Sequence, residues 1–149
     1  MPDNPILMSK DTTQITEPIA RLFQGKNFAF VSTLMSDGTP QITPTWVDID
    51  KNGEYSILVN TAEGRIKHKN VSRDPRLAIS VLNGSNPYEM VSVRGRVTEQ
   101  ITGSVAEEHI DKMAKKYLGV DKYPGRSPGE KRVVLRIKPQ KIFYQPPIR

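Results

Sequence analysis

The chain of 149 residues has no cysteine, which excludes a disulfide framework and any thiolate metal site. Its two histidines, His68 and His109, are too few for a histidine-based metal cluster. Apolar runs are short. None reaches the roughly 18 residues of a membrane-crossing helix, and the opening MPDNPILMSKDTTQ lacks the apolar block of a secretory signal. A cytoplasmic protein is therefore expected. Catalytic signatures are missing as well: no G-x-S-x-G elbow, no Walker loop and no H-E-x-x-H occur. An enzyme of this kind would leave the hard step to a bound cofactor and supply only positioning.

What is present is an ordinary globular composition, 36% hydrophobic and 26% charged, with a net charge of +6. The length suits a single domain with a real core. The positive balance suits an anionic partner or simple solubility. Nucleic acid is disfavoured, because there is no zinc-finger spacing, no aromatic RNP-type motif and no basic helix with a dimerising heptad.

Residue patterning predicts mostly strands. TEPIARLFQGK from Thr16 reads as a short helix capped by Thr16 and closed near Gly25, behind an N-terminal extension over residues 1–15. NFAFVSTLM (27–35) is a strand, Ser36-Asp37-Gly38 a turn, and Pro40 to Asp50 a second strand. Asp50-Lys51-Asn52-Gly53 is a hairpin turn, followed by a strand over Glu54–Thr61. Ala62–Asp74 reads as a short basic helix stopped by Pro75. Strands are expected over Arg76–Leu82 and Tyr88–Glu99, with Gly95 marking a bulge or close backbone approach. Thr102 or Ser104 caps a helix to about Leu118 that offers Val105, Ile110, Met113, Ala114 and Tyr117 for burial. Glu107, Glu108 and His109 are assigned to its solvated face. A Pro/Gly-rich loop over Gly119–Gly129 precedes a strand at Lys131–Ile137, extended at Ile142–Tyr144. Consecutive hairpins with outlying helices imply an antiparallel sheet curling into a barrel.

Two segments exceed what packing explains. In Gln41-Ile42-Thr43-Pro44-Thr45-Trp46-Val47, Pro44 cannot donate to a ladder, so the strand is bulged or at an edge there. The only tryptophan follows two residues later. This is either an edge proline beside a core tryptophan or a strand whose free backbone groups meet a planar ring. In the basic helix, Ile66, Lys67, Asn70 and Val71 fall within about 140° of one another. An inward lysine needs an anion or must snorkel out. A phosphate at the helix N-terminus suits Lys67 and Arg65 together, provided Arg65 lies in the preceding turn. Lys69 and His68 are assigned to the solvated flank.

The order strand, S-D-G turn, Q-I-T-P-T-W strand, N-T-A strand end, and then G-R-I-K-H-K-N-V-S-R-D-P-R resembles the pyridoxamine 5'-phosphate oxidase-like superfamily. With Y-L-G-V-D-K-Y-P-G from Tyr117 and R-V-V-L-R-I from Arg132, it most resembles the branch of coenzyme F-420-dependent flavin/deazaflavin oxidoreductases. The resemblance implies a mainly β split β-barrel with short peripheral helices, homodimeric, with cofactor clefts between subunits. It implies that Arg65, Lys67 and Asn70 hold the cofactor phosphate. Pro44, Thr45, Trp46 and Val47, with Thr61 and Ala62, would line the ring, and Ser32 and Thr33 would border the same cleft. The implied activity is hydride transfer between reduced F-420 and a small organic acceptor. FMN with oxidase or reductase chemistry is the alternative, and a non-catalytic module for an anionic ligand is a third reading. Neither nucleic acid nor a membrane is an expected partner.

Overall fold

The computed structural model describes residues 10–148. In chain order the elements are β1 (Lys10–Thr12), α1 (Glu17–Gln24), β2 (Ala29–Leu34), β3 (Pro40–Thr45), β4 (Asp48–Asn52) and β5 (Glu54–Ala62). Then follow α2 (Ile66–Arg73), β6 (Arg76–Asn83), β7 (Asn86–Ile101), α3 (Ser104–Leu118) and β8 (Arg132–Gln145). All strand pairs are antiparallel, in the order β3-β2-β6-β7-β8-β5-β4, with β1 added on β8.

β3 and β4 lie at opposite ends of that path, yet only Trp46 and Val47 separate them in the chain. A two-residue link cannot span a flat sheet of this width, so the sheet curls until its edges meet at that corner. No ladder joins β3 to β4 among the described residues, and the barrel is split. The single strand expected over Pro40–Asp50 is therefore two strands. The break is imposed from elsewhere: Val47 N–H donates to Tyr117 Oη at 3.1 Å, and its carbonyl accepts from Lys116 Nζ at 2.8 Å.

The interior follows from strand alternation. Ala29, Val31 and Thr33 of β2 point inward, opposite Val81, Ile79 and Leu77 of β6. Val91, Val93, Leu135, Ile137, Ile57 and Val59 complete the lining. α1 packs Ile19, Ala20, Leu22 and Phe23 into the same core, and α2 contributes Val71. A fully buried side chain such as Phe23 is worth about 1.5–3 kcal/mol relative to exposure. α3 packs outside β5 and β8, through Ala106 on Leu58 and Val134 and through Ile110, Met113 and Tyr117 on Trp46. β5 is thus buried on both faces.

Several expectations shift in detail. Lys10–Thr12, inside the assumed extension, forms β1 on β8; the rest of that extension up to residue 9 lies outside the described residues. The N-cap of α3 is Gly103, at φ 78°, a left-handed backbone that neither Thr102 nor Ser104 would take without strain. Val105 of α3 is exposed, as is Ile66 of α2. Gly95 does mark a bulge: it faces Pro139 where the register shifts, and an added Cβ would sit 2.5 Å from the Lys138 carbonyl oxygen. Pro139 is tolerated because the irregular ladder there asks for no N–H.

Candidate functional site

The two segments singled out in the sequence touch directly. Lys67 Nζ donates to Thr43 Oγ1 at 2.7 Å, tying α2 to edge strand β3. Pro44 stands exposed on that strand, opposite Phe30, where the missing N–H costs nothing. Thr45, half-buried, pairs with Ala29.

Arg65 is the N-cap of α2, with extended backbone (φ −69°, ψ 157°), and so lies in the turn before the helix. That is the backbone position the sequence reading requires of Arg65; its guanidinium reaches Glu130 at 3.4 Å, while Lys67 is on Thr43. No side chain caps α2 and its first turn holds no acid. Its leading N–H groups and positive dipole end therefore remain available to an anion. Burial holds the Lys67 ammonium below the ordinary lysine range, and the Arg65 charge adds to the effect. An ammonium carries three donors, and Thr43 takes one.

Asn70 sits beneath the surface, at the contact between α2 and β2. It is 2% exposed. Its Nδ2 donates to Thr33 Oγ1 at 3.0 Å, and its Oδ1 accepts from Arg73 at 2.7 Å. The amide holds α2 onto β2, and its nitrogen also lies 3.3 Å from Met35 Sδ. Thr33 is consumed in the same contact. Ser32 points the other way, because neighbours on a strand face opposite sides; it lines a groove on the outer face with Arg76 and Arg94. Ser32 and Thr33 therefore do not border one cleft.

Trp46 stacks on Tyr117 (centroids 5.3 Å, 4° between planes) and meets the edge of Tyr123 at 5.9 Å. The side chain of Val47 is in the core and both its backbone groups are engaged by α3, so no free backbone faces a ring at that residue. Thr61 and Ala62 are buried at the end of β5. The Ala62 carbonyl accepts the Arg65 N–H at 3.2 Å, forming the turn that presents Arg65.

A relay of contacts links the aromatic end to the basic end. The guanidinium of Arg132 lies 5.2 Å over the Tyr123 ring, bonds Glu130, and donates through Nε to Asn60 Oδ1 at 2.9 Å. Glu130 in turn reaches Arg65 at 3.4 Å. The loop expected over Gly119–Gly129 is pinned to α3 by Arg126 on Glu107 and Asp111. The sequence points to the segment that holds Thr43 but not to Thr43 itself as a site residue, and it assigns no role at the site to Glu130 or Arg132. Only folding brings residues so far apart along the chain to one place.

His109 is not on a solvated face. Its Nε2–H donates to Asp48 Oδ2 at 2.9 Å, and Nδ1 accepts from Asn60 Nδ2 at 3.1 Å, which fixes one tautomer. Burial resists ionisation of Asp48, but His109, the Ile49 N–H and Lys112 together hold its carboxyl below the usual range. The network joins α3 to β4 and β5. Glu108 of the same turn is solvated, and Glu107 is half-buried. No cluster of three or more metal-ligating side chains occurs among the described residues, and no helix among them is long and apolar enough to cross a membrane.

Residues 15–146 match the family described as pyridoxamine 5'-phosphate oxidase. No curated protein sequence matches. Among solved structures, an F420 reductase is 25% identical with a TM-score of 0.70, over 86% of this chain and 98% of its own. A conserved hypothetical protein from Mycobacterium tuberculosis is 22% identical (TM-score 0.68, over 91% of this chain and 89% of its own). A putative pyridoxamine 5'-phosphate oxidase from Listeria innocua is 16% identical (TM-score 0.60, over 86% and 94%). With the split antiparallel barrel in place and the match running from before α1 to the end of β8, the chain belongs to the pyridoxamine 5'-phosphate oxidase family.

Proposed function

We propose that the protein is an F-420-dependent oxidoreductase that transfers a hydride between the reduced deazaflavin and a small organic acceptor. The observation that carries this reading is the half-buried Lys67, with two N–H donors beyond Thr43, at an uncapped helix N-terminus beside Arg65. That donor set suits a phosphate, which both charge-assisted donors and the free N–H groups of a helix N-terminus favour. Likeness to an F420 reductase at 25% identity supports the deazaflavin over other tricyclic cofactors.

The phosphate would be held by Lys67, Arg65 and the N–H groups of Ile66 and Lys67. Asn70 and Thr33 act from behind by fixing α2 on β2. Pro44 and Thr45 of β3 would border the ring, and Trp46, braced by Tyr117, would close its far side. Thr61 and Ala62 set the turn that aims Arg65. The chemistry supplied when the reduced deazaflavin is bound is hydride donation to the acceptor. The residues of this chain orient the two partners and keep water away. The outer sheet face exposes Phe30, Ile42, Leu82 and Phe143, a surface suited to a second copy of the chain. A homodimer would complete the open side of each site.

The test is a pair of equilibrium titrations by calorimetry with F-420 and FMN, followed by oxidation of reduced F-420 with a panel of acceptors. Tight F-420 binding, weak FMN binding and acceptor-dependent oxidation are expected. Preference for FMN would transfer the protein to flavin chemistry. Binding of neither would leave a non-catalytic module.

A further inference from the structure

The two cations at the start of α2 are not answered alike. Lys67 has no carboxylate within 4.0 Å among the described residues, and the first turn of α2 holds no acid. Arg65 does have one: Glu130 Oε2 lies 3.4 Å from its Nη2. The β5–β8 ladder sets this contact. Ala62 pairs with Arg132, and the Glu63 N–H donates to the Lys131 carbonyl at 2.9 Å. Residues just beyond the two strand ends therefore come side by side, although 65 positions separate Arg65 from Glu130.

Glu130 is also held where it stands. Gly129, at φ 76°, turns the chain toward β8, and the Glu130 N–H donates to the Ser127 carbonyl at 3.1 Å. Its other carboxylate oxygen accepts from Arg132, which is 3% exposed and fixed in turn by Asn60 and the Tyr123 ring. Arg132 foremost, and Arg65 after it, hold this carboxyl below the usual range against the effect of burial, so it is ionised at neutral pH. A phosphate that reaches Arg65 meets a guanidinium already engaged by a fixed negative charge.

We propose that Glu130 is a specificity-determining residue, which makes the site select a singly charged phosphodiester over a doubly charged phosphate monoester. This rests on the cofactor reading above and deepens it. F-420 carries its phosphate as a diester with one negative charge. FMN ends in a monoester, whose second ionisation at about pH 6 leaves it close to doubly charged at neutral pH. One ligand charge is matched by Lys67. A second must shed its water beside Arg65, whose charge Glu130 offsets, and that carboxylate repels it. The tricyclic ring takes no part in the discrimination.

The test titrates F-420, FMN and the methyl ester of FMN into wild type and Glu130→Gln by calorimetry, at about pH 7.5, where the FMN phosphate is doubly charged. FMN and its methyl ester share ring and ribityl chain and differ at the phosphate. Wild type should bind the ester roughly tenfold more tightly than FMN, the scale of one added like charge at short range near a protein surface. Glu130→Gln keeps the shape of the side chain and an acceptor for Arg132. It should close most of that gap, chiefly through tighter FMN binding. Wild type that binds FMN as tightly as the ester overturns the proposal, whether or not the variant folds. So does an unchanged gap in the variant, or an equal weakening of both ligands, which a merely structural Glu130 would give. F-420 separates the two readings. Tight F-420 binding without a preference for the ester removes the role of Glu130 alone. A preference for the ester without F-420 binding removes the deazaflavin reading and leaves Glu130 in its role. Binding of none of the three overturns both.

Discussion

Lys67 and Thr43 meet at 2.7 Å between Nζ and Oγ1, and this one contact ties the half-buried ammonium of α2 to edge strand β3. Lys67→Ala should weaken cofactor binding by about 1.5–3 kcal/mol, the scale of a charge-assisted hydrogen bond. Calorimetric titration checks this; an unchanged dissociation constant would remove Lys67 from the site. Burial lowers the pKa of this lysine. Wild-type affinity should therefore decline with rising pH before an ordinary lysine, near about 10.4, would discharge. Lys67→Ala should lack that decline.

Tyr117→Phe tests the corner between β3 and β4. Its hydroxyl donates to the Asn27 carbonyl at 2.7 Å and accepts the Val47 N–H at 3.1 Å. Removing it strands the buried Val47 donor, a cost of about 1–3 kcal/mol. Urea unfolding should show a lower midpoint with an unchanged slope. A midpoint equal to wild type would show that Val47 is held by its neighbours alone.

Lys116 makes an alkaline prediction of the opposite sign to most. Its Nζ donates to the Phe23 and Val47 carbonyls at 2.7 and 2.8 Å, and burial pulls its pKa down to about 8. The unfolded chain keeps that proton up to the ordinary value of 10.5. Between those two values the unfolded state binds more protons, so stability rises with pH. The stability of wild type relative to Lys116→Met should therefore grow from about pH 8 to 9.5. The test is urea unfolding of both proteins across that range; a constant difference would show that Lys116 stays charged throughout.

Gly95→Ala should destabilise the barrel by about 1–3 kcal/mol through overpacking, because its Cβ would meet the Lys138 carbonyl oxygen at 2.5 Å. Thermal melting reads this directly. A neutral result would mean that the β8 bulge relaxes freely.

The features legible in the sequence were those set by local chemistry. Gly53 at φ 78° closes the predicted hairpin, Pro75 follows the end of α2, and Gly95 marks the bulge because a glycine within a β-rich run has few other reasons to be there. Arg65 and Lys67 were legible through charge on an inward face. The break at Trp46–Val47 was not, since its cause, Tyr117, is 70 residues away and overrides a stretch that reads as one strand. His109 was misplaced for a similar reason: Asp48 and Asn60, which draw it in, lie on other elements. Ser32 and Thr33 carried an internal contradiction that alternation alone exposes.

The corner at Trp46 and Val47 has a mechanical consequence. The barrel is latched at one point and left unzipped along the remainder of its seam, since β3 and β4 share no ladder among the described residues. Thr45 and Asp48 sit beside the latch, whereas Pro40 and Asn52 lie at its far ends. Breathing of the seam is therefore graded. Amide hydrogens of β3 and β4 should exchange with solvent faster with distance from the latch, with no global unfolding, while β6 and β7 at the back of the barrel act as its rigid spine.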